Sequence, residues 1–260
     1  MGETATRPPH GGSPSIGQPD YWWYRVRSEL LRVALGDRVG RAGRILDVGS
    51  ADGPSVGWLA EHGPVVSLDV DPRGLRPPRG VCGSVLRLPF PDEVFGVVTA
   101  FDVVEHCEPE DVAVAELARV LRPGGRLLVS MPAYQWAWSD HDVANGHFRR
   151  YTRPRAVAAL SAAGLRVERA TYAFAGVFPF FAAERLARRL AGRVRGSRGR
   201  PADVVAVPHV PRGVEGLLLG LSGLDRRLLR TWDLPFGSSV LVAAVKPPGP
   251  GVVPGTGAGG

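Results

Sequence analysis

The sequence predicts an α/β protein built on a mostly parallel sheet. The first observation is that short apolar runs, several of them ending in an acid, alternate with helical patterns along the chain. The second is the stretch from Arg44 to Leu59, in which the apolar run Ile45 to Val48 leads into Gly49 and Gly53 and then into a helical pattern. A buried strand, a glycine turn and a helix N-terminus form the corner at which α/β proteins hold nucleotides.

The composition sets limits on the domain count and the compartment. The 260 residues are 44% apolar, which is enough for one domain with appendages, and the net charge is +7. Lys246 is the only lysine, and a GC-rich genome would give the same bias to arginine, so the basicity is weak support for a nucleic acid partner. Cys82 and Cys107 offer neither a disulfide framework nor metal-ligand spacing, and we expect no metal. Without a signal peptide or a run of about 20 apolar residues, a cytoplasmic location is expected.

The two ends of the chain differ from its middle. Residues 1–18 and 248–260 are rich in glycine and proline and are predicted to be disordered, which leaves a domain at 19–247. The domain begins with a helix that Asp20 can cap, and its apolar face is Trp23, Val26, Leu30 and Val33. The neighbouring aromatic residues either staple this helix to the domain or form a lid over a ligand pocket, and we favour the lid.

The acids beside the first two strands indicate what kind of ligand is held. Asp47 precedes Gly49, so this is not the dinucleotide fingerprint, and a carboxylate there would repel a pyrophosphate and attract an amino group. A second apolar run, 64–71, ends in Asp69 and Asp71 at βαβ spacing, where ribose hydroxyls lie. Asp69 is the stronger candidate because it closes the apolar run, and the alternative is an acid that caps the next helix.

Three segments carry a resemblance to a known family. The stretch around Asp47, Gly49 and Gly53 resembles motif I of the class I S-adenosylmethionine (SAM) dependent methyltransferases, with Ala51 in place of the middle glycine. The segment Asp102-Val-Val-Glu-His106 and the string RVLRPGG at 119–125 are similar to later segments of the same family. The resemblance covers about half of the sequence, in the right order and spacing. It implies a Rossmann-like sheet of seven strands with the last strand antiparallel, and SAM as the cofactor.

The resemblance also implies which residues bind the cofactor. The amino-acid end would lie on the first glycine turn, the ribose on the second strand, and the adenine near residues 84–86. In this family an Asp usually stands where this chain has Ser84, so that contact is weaker and the backbone of Val85 is the alternative. His106 is expected to order the loop beside the methionine moiety rather than to catalyse. The predicted set is Asp47, Gly49, Ser50, Gly53, Asp69, Val70, Ser84, Val85, Asp102 and His106.

The remaining regular elements follow from periodicity and turn signals. A buried strand is predicted at 94–101, and a helix at 109–121 leads through a glycine turn into the fifth strand, which ends at Ser130. Thr152 caps a helix with Pro154 in its first turn and Gly164 after its end. The sixth and seventh strands are predicted at 165–174 and 238–246.

The loop at 131–151 concentrates polar and aromatic side chains at the carboxyl end of the fifth strand. It is either part of the active site, which we favour, or a hydrogen-bonded knot in which Arg149 or Arg150 bridges acids. If the acceptor must lose a proton, His147 and His141 are the candidate bases. The residues proposed to contact the substrate are Trp22, Trp23, Tyr134, Trp138, Arg149 and Tyr151.

About sixty residues, 175–233, separate the sixth strand from the seventh, and this exceeds the usual connection length. The insertion holds two basic amphipathic patterns, at 176–190 and 214–232. Such a pair can contact an anionic membrane surface, cover the substrate, form a homodimer or simply pack on the sheet, and the four alternatives stay open.

The sequence thus favours a methyltransferase that acts on an oxygen or nitrogen of a small-molecule or lipid-linked acceptor with apolar or aromatic parts. An RNA or protein methyltransferase is the second hypothesis, and it ranks lower because no RNA-binding module and no Asn/Asp-Pro-Pro-Tyr motif are found. The third is a membrane-surface binding module that keeps the fold without turnover.

Overall fold

The computed structural model describes residues 21–40, 42–50, 55–72, 75, 80–195 and 212–248. Apart from residue 248, the two ends predicted to be disordered lie outside the described residues. So do Asp20, Gly53 and most of the proline-rich segment after the second strand.

A sheet of seven strands forms the centre of the protein, in the order β3-β2-β1-β4-β5-β7-β6. The strands β1 to β5 are mutually parallel, and β7 runs antiparallel to both of its neighbours, β5 and β6. This arrangement confirms the predicted sheet and its antiparallel last strand. The strands are β1 (Ile45–Val48), β2 (Val65–Asp69), β3 (Gly80–Cys82), β4 (Phe95–Phe101), β5 (Leu121–Pro132), β6 (Arg166–Ala173) and β7 (Ser239–Val245).

The central strands are buried throughout because helices cover both faces of the sheet. Every residue of β1 and of β4 is buried, including the polar residues Asp47 and Thr99. The helices are α1 (Trp22–Leu35), α2 (Ser55–Leu59), α3 (Glu110–Val120), α4 (Asp140–Ala144), α5 (Arg153–Ala162), α6 (Phe178–Arg195) and α7 (Arg212–Leu228). Helices α3 and α5 pack on each other and on the sheet, while α1 packs on β7 and on α7.

The string RVLRPGG forms a bulge at the start of β5. Leu121 pairs with Phe95 and Arg126 pairs with Val97, so four residues of β5 lie opposite the single residue Gly96. Gly124 has a φ of 73°, which glycine adopts readily, and a Cβ on Gly96 would approach the carbonyl oxygen of Ala42 to 1.8 Å. The glycines therefore shape the entry to the strand, far from its carboxyl end.

Helix α5 begins as predicted. The Thr152 hydroxyl accepts a hydrogen bond from the amide of Arg155, Pro154 lies in the first turn, and Gly164 follows the helix with a φ of 79°. The start of α1 differs from the prediction, because the residue before the helix is Tyr21 and it makes no side-chain cap. The buried face of α1 is also wider than expected and is formed by Val26, Leu30, Leu31, Ala34 and Leu35.

The described residues of the insertion between β6 and β7 contain α6 and α7, which confirms the two predicted helices. Of α7, Ser222, Asp225 and Leu229 face inward, and the Asp225 carboxylate accepts a hydrogen bond from the amide of Gly176 at 3.0 Å. Among the described helices, none combines the length and the hydrophobicity that crossing a bilayer requires.

Candidate active site

The carboxyl ends of the parallel strands lie at one edge of the sheet, and the first predicted site residues lie there. Gly49 follows β1 with a φ of 68°, and its amide donates to the carbonyl of Leu68 at 2.8 Å. A Cβ on Gly49 would lie 2.4 Å from Cγ2 of Val103. The turn therefore needs glycine for its backbone angle and for the space it leaves.

Two buried polar atoms next to this turn lie near each other but make no hydrogen bond of normal geometry among the described residues. The Asp47 carboxylate is 2% exposed, and one of its oxygens accepts a hydrogen bond from the Thr99 hydroxyl at 2.5 Å. Its other oxygen and the hydroxyl of Ser50 are buried and make no hydrogen bond of normal geometry. Burial raises the pKa of Asp47 to about 6, although the hydrogen bond from Thr99 opposes the shift. A cationic or polar ligand on this turn would satisfy both atoms.

Asp69 closes β2 on the neighbouring strand end and is 8% exposed. One carboxylate oxygen accepts a hydrogen bond from the amide of Asp71 at 2.9 Å, and the negative charge is close enough to raise the pKa of Asp47. Asp47 and Asp69 therefore lie near each other, as predicted from their positions at adjacent strand ends. Val70, the next residue, is 71% exposed.

The predicted adenine region lies beyond β3 and is only partly open. Ser84 is exposed, but its hydroxyl already accepts a hydrogen bond from the amide of Leu86 at 3.2 Å. The Val85 side chain is buried in the core, so only its backbone is free to take part in recognition.

Helix α1 is fastened to the carboxyl edge of the sheet by Arg27. Its guanidinium lies 2.7 Å from the Asp102 carboxylate and donates to the Ser130 hydroxyl at 3.3 Å, while Ser130 donates to Asp102 at 2.9 Å. Trp23 stacks on Phe174 with ring centroids 5.9 Å apart. Asp102 therefore lies at the predicted edge, with Arg27 as its partner.

Three residues in a left-handed backbone conformation mark the same edge. Asp102, Tyr134 and Phe174 follow the ends of β4, β5 and β6 with φ values of 57°, 62° and 62°. Non-glycine residues in this region cost about 1–3 kcal/mol each, and such residues cluster at functional sites. Asp is one of the residues that adopt such angles more often, whereas Tyr and Phe seldom do, so no sequence signal marks Tyr134 and Phe174.

The loop after β5 is organised by one buried acid. Asp142 is fully buried, and its carboxylate accepts hydrogen bonds from Arg150 at 2.7 and 3.0 Å and lies 2.8 Å from Nδ1 of His147. The amide of Ser139 donates to the same carboxylate at 2.9 Å. Burial opposes ionisation, but the hydrogen bonds from His147 and Arg150 prevail and lower the pKa of Asp142.

The side chains of Arg149 and Tyr151 are both buried, and that of Arg149 is engaged by neighbouring residues. The guanidinium of Arg149 donates to the carbonyl of Cys107 at 2.6 Å and pairs with Glu108 and Glu110, and Tyr151 is fully buried in the core. Their predicted contacts with the substrate stay predictions, and in this structure both residues hold the loop in place. This part of the loop has the network of hydrogen bonds and ion pairs that was the alternative interpretation.

The remaining candidates gather around His147. Its ring lies 4.6 Å from that of His106 and 6.5 Å from that of His141, centroid to centroid. Desolvation, and then the neighbouring His147, lower the pKa of His106 to about 4. Glu105 lies beside them and is fully buried, a residue that our sequence prediction did not single out although it stands in the quoted segment before His106.

A group of aromatic side chains lies between the loop after β5 and helix α6 of the insertion. Tyr134 stacks on Tyr172 and on Trp136, with centroids 5.3 and 5.8 Å apart, and lies 5.4 Å from Phe178 of α6. Trp22 and Trp138 are half-buried, and the indole N–H of Trp22 is buried without a partner among the described residues.

Comparison with known proteins decides the family. Residues 46–129 match the family described as a methyltransferase domain. Demethylmenaquinone methyltransferase of Mycobacterium marinum is 36% identical over 121 residues, which make up 44% of this chain and 49% of that protein. The chain contains a class I SAM-dependent methyltransferase domain.

Solved structures agree with the fold of this methyltransferase domain. The 4+2 cyclase SpnF has a TM-score of 0.56 at 19% identity, with 88% of this chain and 84% of that chain covered. The 1,6-didemethyltoxoflavin-N1-methyltransferase of Burkholderia thailandensis has a TM-score of 0.51 at 15% identity, with 90% and 84% covered. At these identities the likeness concerns the fold alone, and a cyclase among the neighbours shows that the fold does not dictate one reaction.

The methyltransferase domain match runs from β1 into β5. Helix α1, the loop that contains His147 and the helical insertion lie outside it, and the chain spans about half the length of the curated relatives it matches. The domain match therefore includes the turn after β1 and the end of β2, and it does not include the loop after β5.

Proposed function

We propose that the protein transfers the methyl group of SAM to an oxygen or nitrogen atom of a small-molecule or lipid-linked acceptor with apolar or aromatic parts. The observation that carries the proposal is the turn after β1. Its glycine lets the backbone pass close to Val103, and the buried polar atoms of Asp47 and Ser50, which make no hydrogen bond of normal geometry to the described residues, lie next to it. Asp69 closes the adjacent strand at the same edge.

The residues of this edge fit SAM. Asp47 would face the amino group, since a buried carboxylate with a free oxygen is stabilised by a cation. Asp69 would accept hydrogen bonds from the ribose hydroxyls, with the backbone of Val70 beside it, and Ser84 and Val85 would border the adenine. Gly53 completes the proposed set from outside the described residues. The sulfonium methyl is already activated when SAM is bound, so the protein mainly orients the acceptor.

The acceptor would enter between α1 and the loop after β5. The stacked rings of Tyr134, Trp136 and Phe178 offer an apolar surface there, and the predicted contacts Trp22 and Trp138 are half-buried. The relatives that are named demethylmenaquinone methyltransferases support an acceptor with an aromatic or quinone ring.

An acceptor hydroxyl or ammonium group would be activated at the cluster of Glu105, His106 and His147. Of the two histidines predicted as bases, His147 is the better oriented, because Asp142 fixes its ring from the Nδ1 side at 2.8 Å. His141 is exposed on the first turn of α4 and has no carboxylate partner in the described part of the chain.

A lipid-linked acceptor also requires access to a bilayer, and α7 has a surface suited to it. Leu217, Leu224 and Leu228 lie on one side of the helix and are 53%, 50% and 37% exposed. Arg227 and Arg230 are exposed close by in sequence. Apolar side chains with flanking cations favour the interface of an anionic membrane, so we include peripheral membrane contact in the proposal.

The proposal is tested by calorimetric titration of SAM into the full chain and its Asp69→Ala variant. Loss of a carboxylate that accepts from both ribose hydroxyls should weaken binding by about 10–100-fold. Asp92→Ala is the matched control, because Asp92 is an exposed acid paired only with Arg119 on the surface. Equal affinity of the Asp69 variant and the wild type would contradict the cofactor site. The acceptor itself would be identified by incubating the protein with methyl-labelled SAM and extract of the source cells.

A further inference from the structure

One cluster of side chains has the composition of a metal site. Glu105, His106 and His147 each present a ligand atom, and these three atoms lie within 4.8 Å of one another. The first two residues lie in the short helical turn after β4, and the third follows α4. A hydrogen bond of 2.8 Å from the amide of Phe148 to the carbonyl of Glu105 holds the two segments together. We propose that these residues bind a divalent transition metal ion of the zinc type.

The state of Glu105 is the first argument. Its side chain is fully buried, and neither carboxylate oxygen makes a hydrogen bond of normal geometry to the described residues. A buried polar group without a partner is costly, and a buried carboxylate more so. A metal ion supplies the missing partner, and it explains why an acid rather than an apolar residue lies next to two imidazoles.

The surroundings of His147 are the second argument. Its Nδ1 faces the Asp142 carboxylate at 2.8 Å, which leaves Nε2 as the nitrogen available to an ion. Asp142 is itself fixed by two hydrogen bonds from Arg150. A carboxylate that holds the far nitrogen of a histidine is the arrangement that orients metal-binding histidines and raises their basicity. A backbone group of Asn145 is in hydrogen-bonding reach of His106 and serves it in the same way.

The donor set indicates the class of ion. Two imidazoles and one carboxylate suit Zn²⁺ and Fe²⁺, whereas Mg²⁺ and Ca²⁺ prefer oxygen ligands alone. Three protein ligands leave a coordination position open, and His106 is exposed. An acceptor oxygen bound there would lose its proton to water more readily, and with an ion on its second nitrogen His147 would orient the site rather than take that proton. This role alone rests on the proposed methyl transfer.

The test uses untagged full chain that has been freed of metal with a chelator. Zn²⁺ is titrated in competition with a chromophoric chelator, and Co²⁺ is added to record the visible bands of a bound ion. We expect one tight ion per chain, loss of that ion in His106→Ala and His147→Ala, and binding about 10–100-fold weaker in Asp142→Asn. His62→Ala is the control, because His62 lies near Gly40 and Trp58, apart from the cluster, and should bind as the wild type does.

Glu105→Gln tests the site without a large change of shape and should also abolish tight binding. Calorimetric SAM binding by each variant, measured without metal, separates a failure of this proposal from a failure of the proposed function and from misfolding. The proposal is overturned if the wild type binds no ion stoichiometrically, or if folded His106→Ala and His147→Ala variants bind it as tightly as His62→Ala does.

Discussion

One oxygen of the Asp47 carboxylate accepts a hydrogen bond from Thr99. The other makes no hydrogen bond of normal geometry among the described residues. The raised pKa of Asp47, about 6, means that the ligand-free protein holds this carboxyl increasingly protonated as the pH falls below 6. The ammonium group of SAM would favour the charged form. Cofactor binding in acid would therefore release a proton.

We predict that SAM affinity falls between pH 7 and pH 5, by up to about tenfold for each pH unit below 6. In Asp47→Asn the affinity should be lower at pH 7 and should change little over this range. Calorimetry in buffers of different ionisation enthalpy would count the released proton. A wild-type affinity that is constant between pH 7 and pH 5 would contradict the pairing of Asp47 with the amino group.

The stability of the ligand-free protein should depend on pH in the opposite sense. A carboxyl whose folded pKa exceeds its unfolded pKa stabilises the fold at low pH, and this contribution is lost as the pH rises through about 6. Bound SAM would reverse the trend by stabilising the charged form.

The positions of single residues were predictable where they follow from the residues next to them in the sequence. Asp47, Gly49 and Asp69 adjoin strands whose ends the apolar runs reveal, so their common edge followed from parallel pairing. The contacts of Arg149 and Tyr151 were not predictable, because the residues that surround them are remote in sequence. The carbonyl that Arg149 binds belongs to Cys107, 42 positions away.

At the level of elements, α1 is attached to the sheet edge through few polar contacts. Arg27 joins it to Asp102 and Ser130, and the ion pair is largely shielded from solvent. We predict that Arg27→Met raises the amide hydrogen exchange rates of residues 22–35 by about tenfold or more, because charged hydrogen bonds contribute about 1.5–3 kcal/mol.

Arg25→Met is the matched control, since Arg25 is exposed on the same helix and the change in helix propensity is the same. If both variants exchange alike, Arg27 does not hold the helix down. SAM should slow exchange in the wild type if α1 covers the cofactor.

Element boundaries were predictable where a local signal exists. Thr152, Pro154 and Gly164 define α5 by capping and turn geometry, whereas the start of α1 has no side-chain cap and was misplaced. The string RVLRPGG was read as a helix end, a glycine turn and the start of a strand, and α3 does end at Val120 with Gly124 at a positive φ before the regular part of β5. The bulge itself was not predictable, because Gly96, which lies opposite it, belongs to another strand.

The whole molecule presents one apolar stripe on α7, and membrane contact is the prediction that belongs to this scale. Leu217→Glu combined with Leu224→Glu should abolish sedimentation of the full chain with phosphatidylglycerol vesicles, since two charges would enter the bilayer interface. Leu219→Glu is the control, because Leu219 is 43% exposed on another side of the same helix. Equal loss in the control, or no loss in the double variant, would contradict contact through this stripe.

The position of β7 also affects how the chain is made. This strand lies between β5 and β6 and is the only strand that joins them, yet it follows β6 by more than sixty residues. During synthesis on a ribosome, β6 emerges with nothing to pair with, and β5 keeps an open edge until the helices of the insertion have also emerged. Chaperone capture in that interval, rather than the final stability, would then set the yield of native protein.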